Sequence, residues 1–141
     1  MPTVPRFHLA IAVDDLDASR AFYGDLLGCE PGRSSERWID WNLHGHQLVT
    51  HVAPGGRAAE PAHNPVDGHE VPIPHFGLIL DVDEFRALAD RLTGAGVEFV
   101  IEPYVRFAGE PGEQWTMFLL DPSGNAIEFK AFADDAQVFA T

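Results

Sequence analysis

Three things are scarce in this chain of 141 residues: cysteine, basic residues and long apolar runs. The single cysteine, Cys29, cannot form an internal disulfide, which favours a reducing cytoplasm as the location. No apolar run is long enough to cross a bilayer, so a membrane-spanning protein is not expected. The 45% of hydrophobic residues predicts instead one soluble globular domain over residues 1–141.

The scarcity of basic residues limits the partners that the chain is expected to bind. Nine lysines and arginines stand against 22 acidic residues, for a formal net charge of −13. Nucleic acids and anionic membranes are bound chiefly through neutralised phosphates, so neither is an expected partner. A small-molecule substrate remains the expected ligand.

The chain contains an internal repeat. His8 and Arg20 are twelve residues apart, His75 and Arg86 are eleven apart, and each arginine is followed eight residues later by a glycine. One deletion therefore aligns the two segments. Each segment predicts a strand (7–13, 75–80) and then an amphipathic helix. Asp15 and Asp83 are the expected helix N-caps, and Gly28 and Gly94 are the expected left-handed residues at the helix ends.

Further strands are predicted after each helix, at 36–43, 46–53, 97–102, 115–120 and 125–132. Asp121-Pro122-Ser123-Gly124 predicts a tight turn before the last of them. The organisation is a first module (6–53), a Pro- and Gly-rich linker (54–74), a second module (75–132) and a C-terminal tail (133–141). Strand, helix and strands, repeated twice, predict an α+β fold with helices on one face of mixed sheets.

Strand alternation assigns three residues to the sheet faces opposite the helices. His8 and His75 open their strands, and the next residue on the same face is small in both, Ala10 and Gly77. Glu128 lies between Ile127 and Phe129, although a lone buried carboxylate is disfavoured. Taken singly, each is more often a packed or solvated residue. The histidines occupy equivalent places in two repeats, and with the glutamate they predict a divalent metal site.

The segments FHLAIAVDDLDASRAFYGDLLG, PHFGLIL and FLLDPSGNAIEF resemble the vicinal oxygen chelate superfamily, over about residues 6–132. This superfamily holds glyoxalase I, bleomycin-resistance proteins, fosfomycin-resistance thiol transferases and extradiol dioxygenases. The resemblance implies two βαβββ modules that form a cup-shaped mixed sheet with the helices outside, usually in homodimers. It assigns the metal to His8, His75 and Glu128.

Departures from the family patterns bear on the reaction. Aligning Gly45 with Gly124 places Val49 opposite Glu128, so the second carboxylate of glyoxalase-type members is missing. The two histidines and one glutamate match extradiol dioxygenases, but the tyrosine expected three residues before the aspartate is Phe118. Fosfomycin-type transferases match less well, because a phosphonate site needs cations that this chain has few of.

The sequence therefore favours a metal-dependent enzyme, nearest in ligand set to extradiol dioxygenases, that acts on a small oxygen-chelating substrate. A glyoxalase-like lyase or isomerase and a metal-free, ligand-sequestering resistance protein are the alternatives. Iron(II) or manganese(II) suits the ligand set, and nickel(II) or zinc(II) is the alternative if a fourth protein ligand is present. His51 is the one candidate catalytic residue. The candidate substrate-binding residues are Trp38, Gln47, His51, Tyr104, Arg106 and Trp115.

Overall fold

A computed structural model describes residues 4–53 and 62–141 of the chain. The chain divides into two compact units, Met1–Ala59 with Asp121–Asn125, and Glu60–Leu120 with Ala126–Thr141. Within the described residues, no helix is long and apolar enough to cross a membrane.

Each unit contains one four-stranded sheet, and the two sheets have the same topology. The order is β1-β4-β3-β2 in the first sheet and β7-β10-β9-β8 in the second. In each sheet the first strand pairs in parallel with the last one, and the remaining neighbours are antiparallel. The predicted α+β fold is confirmed. The strands are β1 (His8–Val13), β2 (Glu30–Ser34), β3 (Trp38–Leu43), β4 (His46–Val52), β5 (Ala62–Val66), β6 (His69–Ile73), β7 (His75–Leu80), β8 (Phe99–Arg106), β9 (Gln114–Leu120) and β10 (Ala126–Phe132).

The first helix changes its pitch. It begins as α1 (Leu16–Ser19) and continues as a π-helical segment, Arg20–Leu26. Asp15 caps it as predicted, since its side chain accepts a hydrogen bond from the backbone N–H of Asp17. Gly28 follows with φ +77°, in the left-handed conformation predicted for it.

The second helix, α2 (Val82–Gly94), corrects two predictions. Asp81, not Asp83, is the N-cap, because its side chain accepts the backbone N–H of Glu84, and this bond lowers the pKa of Asp81. Gly94 ends the helix with an ordinary backbone, and Gly96 takes the left-handed conformation at φ +78°. The second helix therefore starts two residues earlier than the predicted Asp83 cap implied.

The predicted linker, 54–74, contains a β-hairpin over its described part. Strands β5 and β6 pair in antiparallel fashion around the two-residue turn Asp67-Gly68. Both turn residues have positive φ, +50° and +78°, as the twist of a tight hairpin requires. The hairpin packs on the second sheet, where Val71 joins a buried cluster with Ile101 and Phe118.

A buried carboxylate organises the polar part of the first unit. Asp121 is 4% exposed, and its side chain accepts four hydrogen bonds. The donors are Tyr23 Oη at 2.7 Å, the backbone N–H groups of Ser123 and Asn125, and the Asn125 amide nitrogen. Asn125 Nδ2 also donates to the Ala12 carbonyl at 2.8 Å. The predicted Asp121–Gly124 turn is confirmed, because the Gly124 N–H donates to the Asp121 carbonyl.

We expect Tyr23→Phe to lower the free energy of unfolding by about 1.5–3 kcal/mol at neutral pH, the usual value of a hydrogen bond to a charged group. Burial, together with the Asp121 charge, raises the pKa of Tyr23 far above its usual value. Near pH 10 the unfolded tyrosine releases its proton while the folded one keeps it. The stability that Tyr23 contributes is therefore full below pH 10 and is lost above it. Urea unfolding from pH 7 to pH 11 should show the two proteins converging; a constant difference would contradict this.

Candidate metal centre

The predicted residues of the second unit form a close pair. Nε2 of His75 lies 3.3 Å from Oε1 of Glu128. His75 opens β7, and Glu128 lies on the neighbouring β10, where it pairs with Gly77. The residues on either side of Glu128, Ile127 and Phe129, are buried on the face covered by α2. Glu128 therefore faces away from the helix, as strand alternation predicts, with its side chain 14% exposed.

Hydrogen bonds orient both side chains of this pair. His75 Nδ1 lies 2.7 Å from the carbonyl oxygen of Pro72. A carbonyl oxygen only accepts, so Nδ1 carries a hydrogen, and in the neutral imidazole the lone pair lies on Nε2, the atom that faces Glu128. Thr116 Oγ1 donates to Glu128 Oε2 at 2.6 Å, which leaves Oε1 for another partner. The ring of Phe118 packs edge-on against His75, with centroids 4.9 Å apart.

The geometry of the pair fits two adjacent ligands of one cation. Nitrogen and oxygen ligands bind transition metals at roughly 2.0–2.2 Å, so neighbouring ligand atoms lie roughly 3.0–3.5 Å apart. The 3.3 Å between Nε2 and Oε1 is in this range. Ligating histidines typically donate the other ring N–H to a protein oxygen, as His75 does here.

His8 lies in the first unit and has a similar environment. Its Nδ1 is 2.7 Å from the amide oxygen of Gln47, so this nitrogen also carries the hydrogen and leaves Nε2 as the free acceptor. In the first sheet, Gln47 pairs with His8 on one side and with Asn42 on the other, and Asn42 pairs in turn with Glu30. These three residues line part of a cleft of about 370 Å³. In the part of the chain that the structure describes, no three His, Cys, Asp or Glu side chains form a ready metal site.

The predicted equivalence of Val49 and Glu128 is confirmed by the strand register. Val49 pairs with Ala10, two residues after His8, and Glu128 pairs with Gly77, two residues after His75. Val49 is 4% exposed. The first sheet thus has an apolar side chain where the second has its carboxylate.

The small residue at Gly77 permits a close approach of two strands. A Cβ atom at this position would lie 1.5 Å from the carbonyl oxygen of Glu128 and 2.6 Å from its carbonyl carbon. The glycine therefore allows the backbones of β7 and β10 to approach closely at the residue that bears the carboxylate.

The predicted substrate-binding residues fall into three groups. Trp38 and His51 pair across β3 and β4, and His51 pairs with Ala12, so both share the face of His8 with Gln47. Tyr104 and Arg106 lie on β8 opposite Thr116 and Gln114, on the face of Glu128. Trp115 lies on the other face, where Arg86 of α2 stacks over its ring at 5.4 Å, so it does not join the others.

Several residues near the pair were not predicted from the sequence. Thr116, Pro72 and Asp67 contact predicted site residues: Thr116 bonds Glu128, Pro72 bonds His75, and Asp67 bonds both Tyr104 and Arg106. The signal for Pro72 and Asp67 was the dipeptide Asp67-Gly68 between two short extended runs, which is a typical hairpin sequence. Alternation along β9 places Thr116 and Phe118 on one face and was the available signal for Thr116.

Cys29 is a free, buried cysteine. Burial raises the pKa of its thiol to about 11, so the reactive thiolate is scarce at neutral pH. Cys29 is 8% exposed, which favours a structural role.

Comparison with known proteins relates this arrangement to one group. The model of the Glyoxalase/Bleomycin resistance protein/Dioxygenase superfamily matches residues 7–129. A glyoxalase/bleomycin resistance protein/dioxygenase from Alicyclobacillus acidocaldarius is 32% identical, with 96% of each chain covered and a TM-score of 0.78. A search of curated proteins gave no match.

Two more distant solved structures share the fold. The fosfomycin resistance protein FosX from Listeria monocytogenes is 16% identical, with 98% of this chain and 99% of that one covered and a TM-score of 0.69. Lactoylglutathione lyase from Agrobacterium tumefaciens is 20% identical, with both chains fully covered and a TM-score of 0.67.

Proposed function

Since the chain belongs to the Glyoxalase/Bleomycin resistance protein/Dioxygenase superfamily, we propose that it is a divalent-metal-dependent enzyme. Its substrate is a small molecule that chelates the metal through oxygen, and His8, His75 and Glu128 are the ligands. The observation that carries the proposal is the 3.3 Å separation of His75 Nε2 and Glu128 Oε1, with both side chains held by other hydrogen bonds. The bound cation would supply positive charge to polarise a substrate oxygen.

The protein's own contribution is to hold the ligands before the cation binds. Thr116 keeps one oxygen of Glu128 occupied, which favours binding through the other oxygen alone. The Pro72 carbonyl fixes the tautomer of His75, and the Gln47 amide oxygen does the same for His8. This organisation reduces the cost of ordering the ligands when the metal binds. Iron(II) or manganese(II) is the proposed metal, and nickel(II) or zinc(II) is the alternative.

The residues present favour dioxygenase-type chemistry over glyoxalase-type isomerisation. Isomerisation requires a base near the metal, and the position equivalent to Glu128 is the buried Val49. His51, the candidate base, is exposed and lies opposite Ala12. The proposed reaction class is therefore nearest to extradiol dioxygenases. Phe118 replaces the tyrosine of that group, so the substrate need not be a simple catechol.

The proposed assembly is a homodimer. The proposed substrate contacts are Trp38, Gln47, His51, Tyr104 and Arg106. Lactoylglutathione lyase and FosX have the same fold, and their reactions are the comparison classes for activity assays.

Elemental analysis of the purified protein tests the proposal. We expect about one divalent metal per chain, and oxygen uptake with catechol-type substrates that is lost when a chelator removes the metal. Isomer formation from a hemithioacetal would indicate the glyoxalase-like alternative instead. Metal-free protein that binds aromatic ligands and stays inert after metal is added would contradict an enzymatic role and favour sequestration.

A further inference from the structure

The tip of the β5–β6 hairpin places a carboxylate on two donors of the second sheet. Asp67 Oδ2 accepts a hydrogen bond from Arg106 Nε and a second one from Tyr104 Oη at 3.3 Å. Both donors belong to β8, whereas the acceptor lies on a two-residue turn. We propose that Arg106 and Tyr104 form a carboxylate-binding subsite for the substrate, which Asp67 occupies in this structure. The identity of the ligand as substrate rests on the proposed function.

The cation of this subsite has a second contact besides Asp67. The Arg106 guanidinium stacks over the ring of Phe107 at 4.9 Å, and its side chain is 19% exposed. The Asp67 side chain is 39% exposed. The carboxylate is therefore the more accessible and exchangeable member of the pair. Burial and the neighbouring Asp67 raise the pKa of Tyr104, so its hydroxyl remains a donor at neutral pH.

A buried polar side chain lies next to Arg106 in the sheet. Gln114 lies directly opposite Arg106 in the β8–β9 register and is 8% exposed. Among the described residues, its amide oxygen has no hydrogen-bond partner. A buried acceptor without a donor is costly, so this end of the sheet is not fully satisfied by the protein's own described groups.

Charge explains why an internal carboxylate occupies the subsite. With a net charge of −13, the chain repels anions except beside a local cation. Asp67 is tethered next to Arg106 and so competes at a high effective concentration. A substrate carboxylate must displace it. The observed affinity is therefore the intrinsic affinity multiplied by the fraction of time that the subsite is free of Asp67.

The test measures binding of phenylacetate, with phenylacetamide as the neutral probe, through the Arg106 Nε–H signal in NMR titrations. Asp67→Asn should bind phenylacetate roughly tenfold more tightly than the natural chain, as expected when a charged hydrogen bond of about 1.5 kcal/mol is removed. Asparagine tolerates the positive φ of this turn, so the hairpin is preserved. Phenylacetamide should not shift the signal in either protein.

Two further variants make the result specific. Glu70→Gln removes one charge from an exposed position of the same hairpin and should leave binding unchanged. Arg106→Gln, combined with Asp67→Asn, should abolish it. Equal phenylacetate affinity in Asp67→Asn and the natural chain would overturn the proposal. This holds even if the substitution detaches the hairpin from β8, because detachment exposes Arg106 further. The same titration in Glu128→Gln separates this outcome from failure of the metal proposal, since the Arg106 response should persist there.

Discussion

Glu128→Gln is expected to lower the affinity for the divalent metal by more than about a hundredfold, because even the outer partners of metal ligands are worth roughly 10–100-fold. The substitution preserves the size of the side chain and removes the charge of Oε1, the atom that faces His75 Nε2 at 3.3 Å. Thr116 can still donate to the remaining amide oxygen, so the fold should be retained. Metal content after dialysis and urea unfolding would measure the two effects separately.

Glu102→Gln is the matched control for this change. Glu102 is exposed on β8 of the same sheet, so its substitution alters the net charge equally without touching His75 or Glu128. We expect it to keep about one metal per chain. If Glu128→Gln retains metal as tightly as Glu102→Gln does, Glu128 is not a ligand and the proposed centre is wrong.

Gly77→Ala is expected to destabilise the protein by about 3–5 kcal/mol, at the upper end of single substitutions. The added Cβ would overlap the Glu128 carbonyl at 1.5 Å, and its nearest neighbours are backbone atoms that cannot turn away as a side chain can. Strands β7 and β10 must therefore move apart at the Gly77–Glu128 pair, which includes the candidate metal ligand. Urea unfolding measures the stability, and metal content should fall with it because Glu128 is displaced.

Gly94→Ala provides the control for this substitution. Gly94 ends α2 with an ordinary φ, and a Cβ there has no neighbour within 4 Å. Alanine restricts the unfolded chain more than glycine does, so we expect no loss, or a gain of about 0.4–1 kcal/mol. A Gly77→Ala variant as stable as Gly94→Ala would show that the two strands tolerate a side chain at this point.

The fold was accessible from the sequence because the repeat determines two similar sheets. The alignment of Gly45 with Gly124 predicts the equivalence of Val49 and Glu128, and the strand register confirms it. The missed elements contain residues that obscure strand patterns. Strand β2 includes Pro31 and Gly32, two residue types that argue against a strand in sequence. The structure accommodates them because β2 lies at the edge of its sheet, where proline is tolerated.

The orientation of the candidate site was less accessible than its residue types. Strand alternation placed Glu128 opposite the helix-covered face, but it could not show that Thr116 bonds one of its oxygens. Trp115 illustrates the limit: its aromatic character suggested a ligand contact, and its position on β9 places it under Arg86 instead. The hairpin partners were missed because Pro65 and Pro72 made the segment resemble a linker, although a two-stranded sheet has only edges.

The β5–β6 hairpin contacts predicted site residues at two separate places. One end of it, Asp67, bonds Arg106 and Tyr104, and the other end, Pro72, bonds the ring of His75. Under the proposed function, a change in its length or sequence alters the carboxylate subsite and the orientation of a metal ligand together.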